Sequence, residues 1–248
     1  MRLILNSNRS RFYDPHTETI FFLGLDLGQV KDYTALTIIE RPPGIPFKYN
    51  VRNLMRFSIG TSYPEVVNKL ISVTGHPAVQ PNLLVIDATG VGAPIADMFR
   101  QNNLYFIPVI ITGTDKVSRD QRAIRVPKRD LVSTLQILLQ TKQLKIAGSL
   151  PEAQTLIEEL LNFQIKISAS GHDSYGAWRE GAHDDLILAT SLACWASEKR
   201  LLPKGLINPR PSSGRKPLYV DNSATAHLLK KSSRFFDKNK TFRFTLLS

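Results

Sequence analysis

The apolar pattern in the first quarter of the chain predicts an antiparallel meander of three strands. An apolar run covers about 19–26, a β-branched run follows over 34–40, and a third strand is expected over about 47–59. Short turns containing glycine, asparagine, aspartate or proline separate such runs in β-hairpins. We therefore expect these three strands to pair in chain order.

From residue 62 onward, helical segments alternate with short apolar strands. Ser62 with Glu65, and Ser149 with Glu152, form capping-box patterns that predict helix starts. The other helices are expected to include residue 95 and to begin near residues 127 and 184, and strands are expected over 83–87, 104–111 and 163–167, with a polar loop over 168–181. This order predicts an α/β fold with a mixed central sheet flanked by helices.

A basic segment over residues 112–130 interrupts that alternation. Its spacing of charges predicts an exposed loop or hairpin that could contact a polyanion, and ordinary solvated surface is the alternative. The candidate contact residues are Lys116, Arg119, Arg122, Arg125, Lys128 and Arg129.

The charge distribution sets the end of the chain apart from its body. The 248 residues contain 32 Lys or Arg and 21 Asp or Glu, and residues 199–248 alone contain 12 of the basic and 2 of the acidic residues. Such a tail either binds nucleic acid or another polyanion, or is a disordered solubilising segment. We expect a lead-in over 1–18, one α/β domain over 19–200 and a basic tail over 201–248.

The cysteine count and the lengths of the apolar runs exclude several kinds of protein. The single cysteine, Cys194, rules out an internal disulfide and a cysteine-rich zinc site. No apolar run resembles a signal peptide or approaches the ~20 residues of a membrane span. A cytoplasmic protein without membrane contact is expected.

Acidic residues stand where the predicted apolar elements begin or end. Asp26 and Asp87 close two apolar strands, and the pair Asp184 and Asp185 precedes an apolar helix. A buried strand has little reason to carry a carboxylate unless something binds it, although each of these acids could also cap a turn or a helix. Three acidic positions on three elements predict one metal site. Asp32 is a further candidate ligand or an exposed turn residue.

A site of aspartates favours Mg²⁺ or Mn²⁺ over zinc, because hard cations prefer oxygen ligands. Two such ions can activate water and hydrolyse a phosphodiester without a protein nucleophile. We expect Asp26, Asp87 and the pair Asp184 and Asp185 to hold these ions, and the residues alone leave open which acid of the pair is the main ligand. His183 either supports this site, contacts phosphate or is a local structural histidine.

The chain resembles the nuclease domain of tailed-bacteriophage terminase large subunits over roughly 19–200. Four motifs in this order carry the resemblance: Gly24-Leu25-Asp26-Leu27-Gly28 with Asp32-Tyr33-Thr34-Ala35, Val85-Ile86-Asp87-Ala88-Thr89-Gly90-Val91-Gly92, Val126-Pro127-Lys128-Arg129-Asp130-Leu131, and Gly181-Ala182-His183-Asp184-Asp185. The resemblance implies a ribonuclease H-like fold related to RuvC resolvases. It also implies an endonuclease that uses two metal ions to cut double-stranded DNA during viral genome packaging. By position, the resemblance implies Asp26, Asp87 and Asp185 as the catalytic set, with Asp185 in the place of the family's last acid and Asp184 as a further metal ligand.

The chain departs from a complete terminase large subunit because it has no G-x-x-x-x-G-K-[ST] phosphate loop. We therefore expect that the chain does not translocate DNA by itself and is a separately encoded or excised nuclease half, or a relative with another use. The resemblance implies a separate packaging ATPase, the portal or the small terminase subunit as partners in the host cytoplasm. A RuvC-like junction resolvase, an actin-like or sugar-kinase-like ATP-binding protein and a non-catalytic DNA-binding scaffold remain as alternatives.

Overall fold

The computed structural model describes residues 18–28, 32–89, 93–167, 173–177 and 183–199. The strands are β1 Ile20–Asp26, β2 Ala35–Arg41, β3 Tyr49–Arg56, β4 Asn82–Asp87, β5 Phe106–Thr112, β6 Ser118–Arg119, β7 Ile124–Pro127, β8 Leu144–Ile146, β9 Phe163–Ile167 and β10 Asp173–Ala177. The helices are α1 Tyr63–Thr74, α2 Ala93–Gln101, α3 Lys128–Gln140, α4 Ala153–Asn162 and α5 Asp185–Glu198.

Eight strands form one mixed sheet in the order β6-β7-β5-β4-β1-β2-β3-β8. The meander β1-β2-β3 is antiparallel, as its sequence pattern predicts. On the other side of β1, strands β4, β5 and β7 run parallel to it and to each other. The predicted mixed α/β sheet is therefore present, with β1 near its centre.

Strand β1 is buried on both faces, because helices cover both sides of the sheet. Phe22 faces a core that contains α3, α4 and α5, whereas Leu23 and Leu25 face a second core formed with α1 and α2. Alternate side chains of a strand point to opposite faces, so an uninterrupted apolar strand needs two cores. This explains why β1 has no polar residue before Asp26.

Helix α5 packs directly on β1 and is buried almost along its whole length. The contact depends on Gly24, since a Cβ atom at that position would lie 1.9 Å from the carbonyl oxygen of Ala189. Thr37 on β2 also hydrogen-bonds Thr190 of α5, with 3.0 Å between their hydroxyl oxygens. These contacts fix the start of α5 next to the end of β1.

The first capping box forms, and the second does not. The Glu65 carboxylate accepts a hydrogen bond from the Ser62 amide at 2.9 Å, at the start of α1. Helix α4 instead begins at Ala153, after a Glu152 N-cap whose side chain makes no capping bond. Ser149 lies in the preceding turn, where a hydrogen bond from the Leu150 amide to the Ala147 carbonyl is already made.

Two strands, β8 and β10, lie outside the sequence-based predictions. Strand β8 pairs with β3, and its three residues are too few to show a periodic pattern in the sequence. Strand β10 pairs with β9 in a segment predicted as a polar loop. Strands β6 and β7 form an antiparallel hairpin within the basic segment, one of the two forms expected there.

The predicted lead-in and basic tail lie almost entirely outside the described residues, as do Gly90, Gly92 and the turn over 29–31. No helix in the described part of the chain is both long and apolar enough to span a membrane.

Candidate metal centre

Asp26 and Asp87 end two neighbouring parallel strands. In the register of β1 and β4, Leu25 is paired with Ile86, and each aspartate is the next residue along its strand. Neighbouring strands lie about 4.8 Å apart, so the two aspartates stand side by side at one edge of the sheet. Each aspartate is only 8% exposed.

The acidic pair lies on the other side of the same cleft. Asp184 is the N-cap of α5 and Asp185 is its first residue, so the packing of α5 on β1 brings both towards Asp26. A cleft of about 260 Å³ is lined by Asp26, Leu27, Gly28, Asp32, His183, Asp184, Asp185 and Leu188. Asp87 is not part of this lining. Asp87 lies next to Asp26, and its charge raises the pKa of Asp26.

The carboxylates disfavour one another's ionised forms. Burial raises the pKa of Asp26 well above its usual range, and the charges of Asp87, Asp185 and Asp184 raise it further, in that order. Burial also raises the pKa of Asp87, although the hydrogen bond from Thr89 opposes this shift. A bound cation would relieve both the desolvation and the repulsion.

Two basic side chains partly offset this negative charge. The Arg56 Nη2 atom lies 2.7 Å from the Asp185 Oδ2 atom, and the Lys128 Nζ atom lies 2.8 Å from the Asp184 Oδ2 atom. Burial nevertheless keeps the pKa of Asp185 raised, against the opposing effect of Arg56. Both acids of the pair are thus already in contact with a cation of the protein itself.

The acidic residues provide the oxygen ligands that hard divalent cations prefer, but their side chains are not arranged to coordinate one ion together. Among the described residues, no three His, Cys, Asp or Glu side chains lie close enough together to ligate one ion as they stand. The oxygen-only donors fit Mg²⁺ or Mn²⁺. Because Asp184 and Asp185 are held by Lys128 and Arg56, ion binding by the whole set requires side-chain movement.

Two further predicted candidates border the cleft. Asp32 is exposed and lines the cleft beside Gly28. The His183 Nδ1 atom lies 3.9 Å from Asp185 Oδ2, and the His183 ring meets Tyr33 edge-on with 4.9 Å between ring centroids. Asp32 is therefore within the same site, and His183 adjoins the acid at the start of α5.

Glu159 of α4 belongs to this region and was missed from the sequence. Its Oε2 atom accepts a hydrogen bond from the Ile187 amide at 3.0 Å, and its Oε1 atom lies 3.4 Å from Arg56 Nη2. Burial raises the pKa of Glu159 to about 8, despite the opposing effects of that amide and of Arg56. Glu159 follows Leu156 by three residues and therefore lies on the apolar face of α4. An acidic residue on that face was the feature of the sequence that could have identified Glu159 as a site residue.

The six basic residues predicted to contact DNA fall into two groups. Lys128 is half-buried in the cleft and pairs with Asp184, so it is not part of an exposed basic surface. Lys116, Arg119, Arg122, Arg125 and Arg129 belong to the β6-β7 hairpin and its flanks. Arg125 pairs with Asp120, and Arg129 pairs with Asp115 at 2.9 Å.

Sequence comparison relates the chain to one family. The profile of the terminase RNaseH-like domain matches residues 23–196. The terminase large subunit of Thermus phage G20c is 25% identical over 183 residues, which cover 73% of this chain and 32% of the phage protein. The chain thus spans about a third of the length of that curated relative.

Solved structures are similar in fold. The large terminase nuclease from thermophilic phage G20c superposes with a TM-score of 0.55 at 22% identity, over 75% of this chain and 85% of that one. The structure of the same nuclease with bound magnesium gives a TM-score of 0.55 at 23% identity, over 74% and 83% of the two chains. The predicted ribonuclease H-like α/β fold is confirmed.

Proposed function

The chain belongs to the terminase RNaseH-like domain family, and from this premise we propose that it is a metal-dependent endonuclease of viral genome packaging. The family supports a nuclease role in packaging. Cleavage of double-stranded DNA with two divalent cations is the more specific part of the proposal. The relative from phage G20c was solved with bound magnesium, which favours Mg²⁺ or the similar Mn²⁺.

One observation carries the proposal: Asp26 and Asp87 end adjacent parallel strands, with Asp185 across the cleft. Asp26, Asp87 and Asp185 would hold the cations, with Asp184 and Asp32 as further oxygen donors. Divalent ions bound there would supply a nucleophilic water and would neutralise the charge that develops on the phosphodiester. Burial, and then the charges of Asp87, Asp185 and Asp184, raise the pKa of Asp26 against the opposing charge of Lys128, and bound cations would stabilise its ionised form.

The protein side chains have separate tasks in this mechanism. Burial of Asp26 and Asp87 excludes bulk water and strengthens electrostatic interactions at the strand ends. The Lys128 ammonium is poised beside Asp184, where it can bind a phosphate oxygen of the substrate once the acid ligates a cation. The β6-β7 hairpin contributes positive charge that holds the DNA backbone without reading its sequence.

DNA and the packaging apparatus are the proposed partners. The matched region spans about a third of the terminase large subunit of phage G20c, and a packaging ATPase, the portal and the small terminase subunit are the components with which we propose that it acts. The proposed place of action is the cytoplasm of the host cell. A basic tail over 201–248 would add non-specific affinity for DNA.

Plasmid cleavage tests the proposal. Supercoiled DNA is incubated with the parent, Asp26→Asn or Asp87→Asn in Mg²⁺, Mn²⁺ or EDTA. Asp97→Asn is the matched control, because Asp97 lies exposed on α2 and pairs only with Arg100 among the ion pairs of the described residues. We expect nicking and linearisation by the parent and the control in metal, and a loss of at least about 100-fold in both site variants.

Equal cleavage by parent and site variants, or no cleavage in either metal, would refute the nuclease assignment. A four-way junction and a linear duplex are compared in the same assay. Strong preference for the junction would favour the resolvase alternative over packaging.

A further inference from the structure

We propose that Arg56 is a positioning residue that holds the Asp185 carboxylate in the metal-free protein and passes to Glu159 when a divalent cation takes that carboxylate. The inference rests on the proposed function, because it presupposes cation binding at Asp185. Arg56 and Glu159 would then control how readily the Asp185 carboxylate becomes available to bind a cation.

A single guanidinium nitrogen serves both acids. The Arg56 Nη2 atom lies 2.7 Å from Asp185 Oδ2 and 3.4 Å from Glu159 Oε1. The shorter distance is a charge-assisted hydrogen bond, whereas the longer one is an ion pair without a hydrogen bond. A small displacement of this nitrogen therefore exchanges the closer partner without removing Arg56 from the site.

Glu159 is incompletely satisfied as it stands. Its Oε2 atom accepts the Ile187 amide, but its buried Oε1 atom has no hydrogen-bond partner in the described part of the protein. An unsatisfied buried carboxylate oxygen is unfavourable, and a hydrogen bond from Arg56 would remove that cost. Movement of Arg56 away from Asp185 is thus offset by a better contact with Glu159.

The surroundings confine Arg56 to these two partners. The guanidinium carbon lies 4.0 Å from the centroid of the Tyr33 ring, a cation–π contact that covers one face of the group. The Arg56 side chain is only 15% exposed, so solvent does little to stabilise a third position. Arg56 therefore remains next to Asp185 in either position and acts as a built-in competitor of the incoming cation.

Binding of Mn²⁺ measures this competition directly. Free Mn²⁺ is followed by electron paramagnetic resonance, at a pH above the pKa of about 8 of Glu159, in a titration of the parent, Arg56→Gln, Glu159→Gln and the double variant. Arg52→Gln is the matched control for lost positive charge, because Arg52 is on the same strand but is exposed and pairs with Glu40. Glu158→Gln is the control for lost negative charge, since Glu158 is the exposed neighbour of Glu159 on α4.

Opposite effects are expected from the two site variants. Arg56→Gln should bind Mn²⁺ about tenfold more tightly, because the competing charge next to the ligand is gone. Glu159→Gln should bind Mn²⁺ about threefold or more weakly, because Arg56 has lost its charged alternative. In the double variant, Glu159→Gln should have no further effect beyond that of Arg56→Gln, and both controls should stay within about twofold of the parent.

Several results would overturn the inference. Unchanged or weaker Mn²⁺ binding by Arg56→Gln contradicts competition, and strictly additive effects in the double variant contradict the transfer to Glu159. If Arg56→Gln does not fold, as judged by circular dichroism, Glu159→Gln decides alone: weaker binding supports the transfer, and unchanged binding opposes it. A parent that binds no Mn²⁺ and cleaves no DNA defeats the proposed function itself, whereas a parent that does both with unaffected variants defeats only this inference.

Discussion

Replacement of Gly24 by alanine tests the contact that brings the start of α5 to the end of β1. The added Cβ atom would lie 1.9 Å from the Ala189 carbonyl oxygen and 2.9 Å from its carbon, and real Cβ contacts essentially never fall below 3.0 Å. Helix α5 must therefore move by about 1 Å, and overpacking of this kind costs about 3 kcal/mol. The first residue of α5 is Asp185, one turn before Ala189, so the displaced helix carries the acid with it.

Urea denaturation in EDTA and plasmid nicking in Mn²⁺ measure the two effects of Gly24→Ala. We expect a loss of about 3 kcal/mol in the free energy of unfolding and, where the variant is folded, a loss of cleavage on the order of 100-fold. Gly148→Ala is the control, because nothing lies within 4 Å of a Cβ atom at Gly148. If Gly24→Ala is as stable and as active as Gly148→Ala, the close approach of α5 to β1 does not position the site.

Three further predictions address the interior, the pH dependence and the DNA contact. Thr37→Val or Thr190→Val alone should cost about 1–3 kcal/mol of unfolding free energy in urea, because one buried hydroxyl loses its partner, and the double variant should recover most of that loss. In EDTA, the free energy of unfolding should fall as pH rises from about 4.5 to about 8, because Glu159 keeps its proton up to about pH 8 in the folded protein but ionises near pH 4.5 in the unfolded chain. An equal dependence of the free energy of unfolding on pH in Glu159→Gln would contradict this. Arg122→Gln should lower the slope of log affinity against log salt by about 0.9, measured by anisotropy with a labelled duplex in EDTA, and an unchanged slope would remove Arg122 from the DNA contact.

The strands and acids that the sequence revealed share a strong local signal. A strand buried on both faces has an uninterrupted apolar run, so the single aspartate after Leu25 and the one after Ile86 stood out. Their adjacency follows from the parallel pairing of β1 with β4, whereas the order of elements had predicted only a mixed sheet. The ribonuclease H-like fold was therefore predictable from pattern and resemblance together.

The parts that could not be predicted depend on long-range pairing. Lys128 was predicted to contact DNA with the other basic residues, and its pairing with Asp184, which is 56 residues away, was not predicted. Arg56 and Glu159 likewise meet only because β3 and α4 converge on Asp185. A local sequence pattern does not predict a contact between residues so far apart in the chain. The predicted tail and lead-in lie almost entirely outside the described residues.

Manganese anomalous diffraction tests most directly whether the acids form one metal site. Crystals of the chain are grown with Mn²⁺, and data are collected at the manganese edge. We expect two anomalous peaks roughly 4 Å apart in the cleft, contacted by Asp26, Asp87 and Asp185, with Arg56 closer to Glu159 than to Asp185. Manganese bound elsewhere, or a cleft in which Asp26 and Asp87 contact no ion at saturating Mn²⁺, would show that these acids do not form a shared metal site.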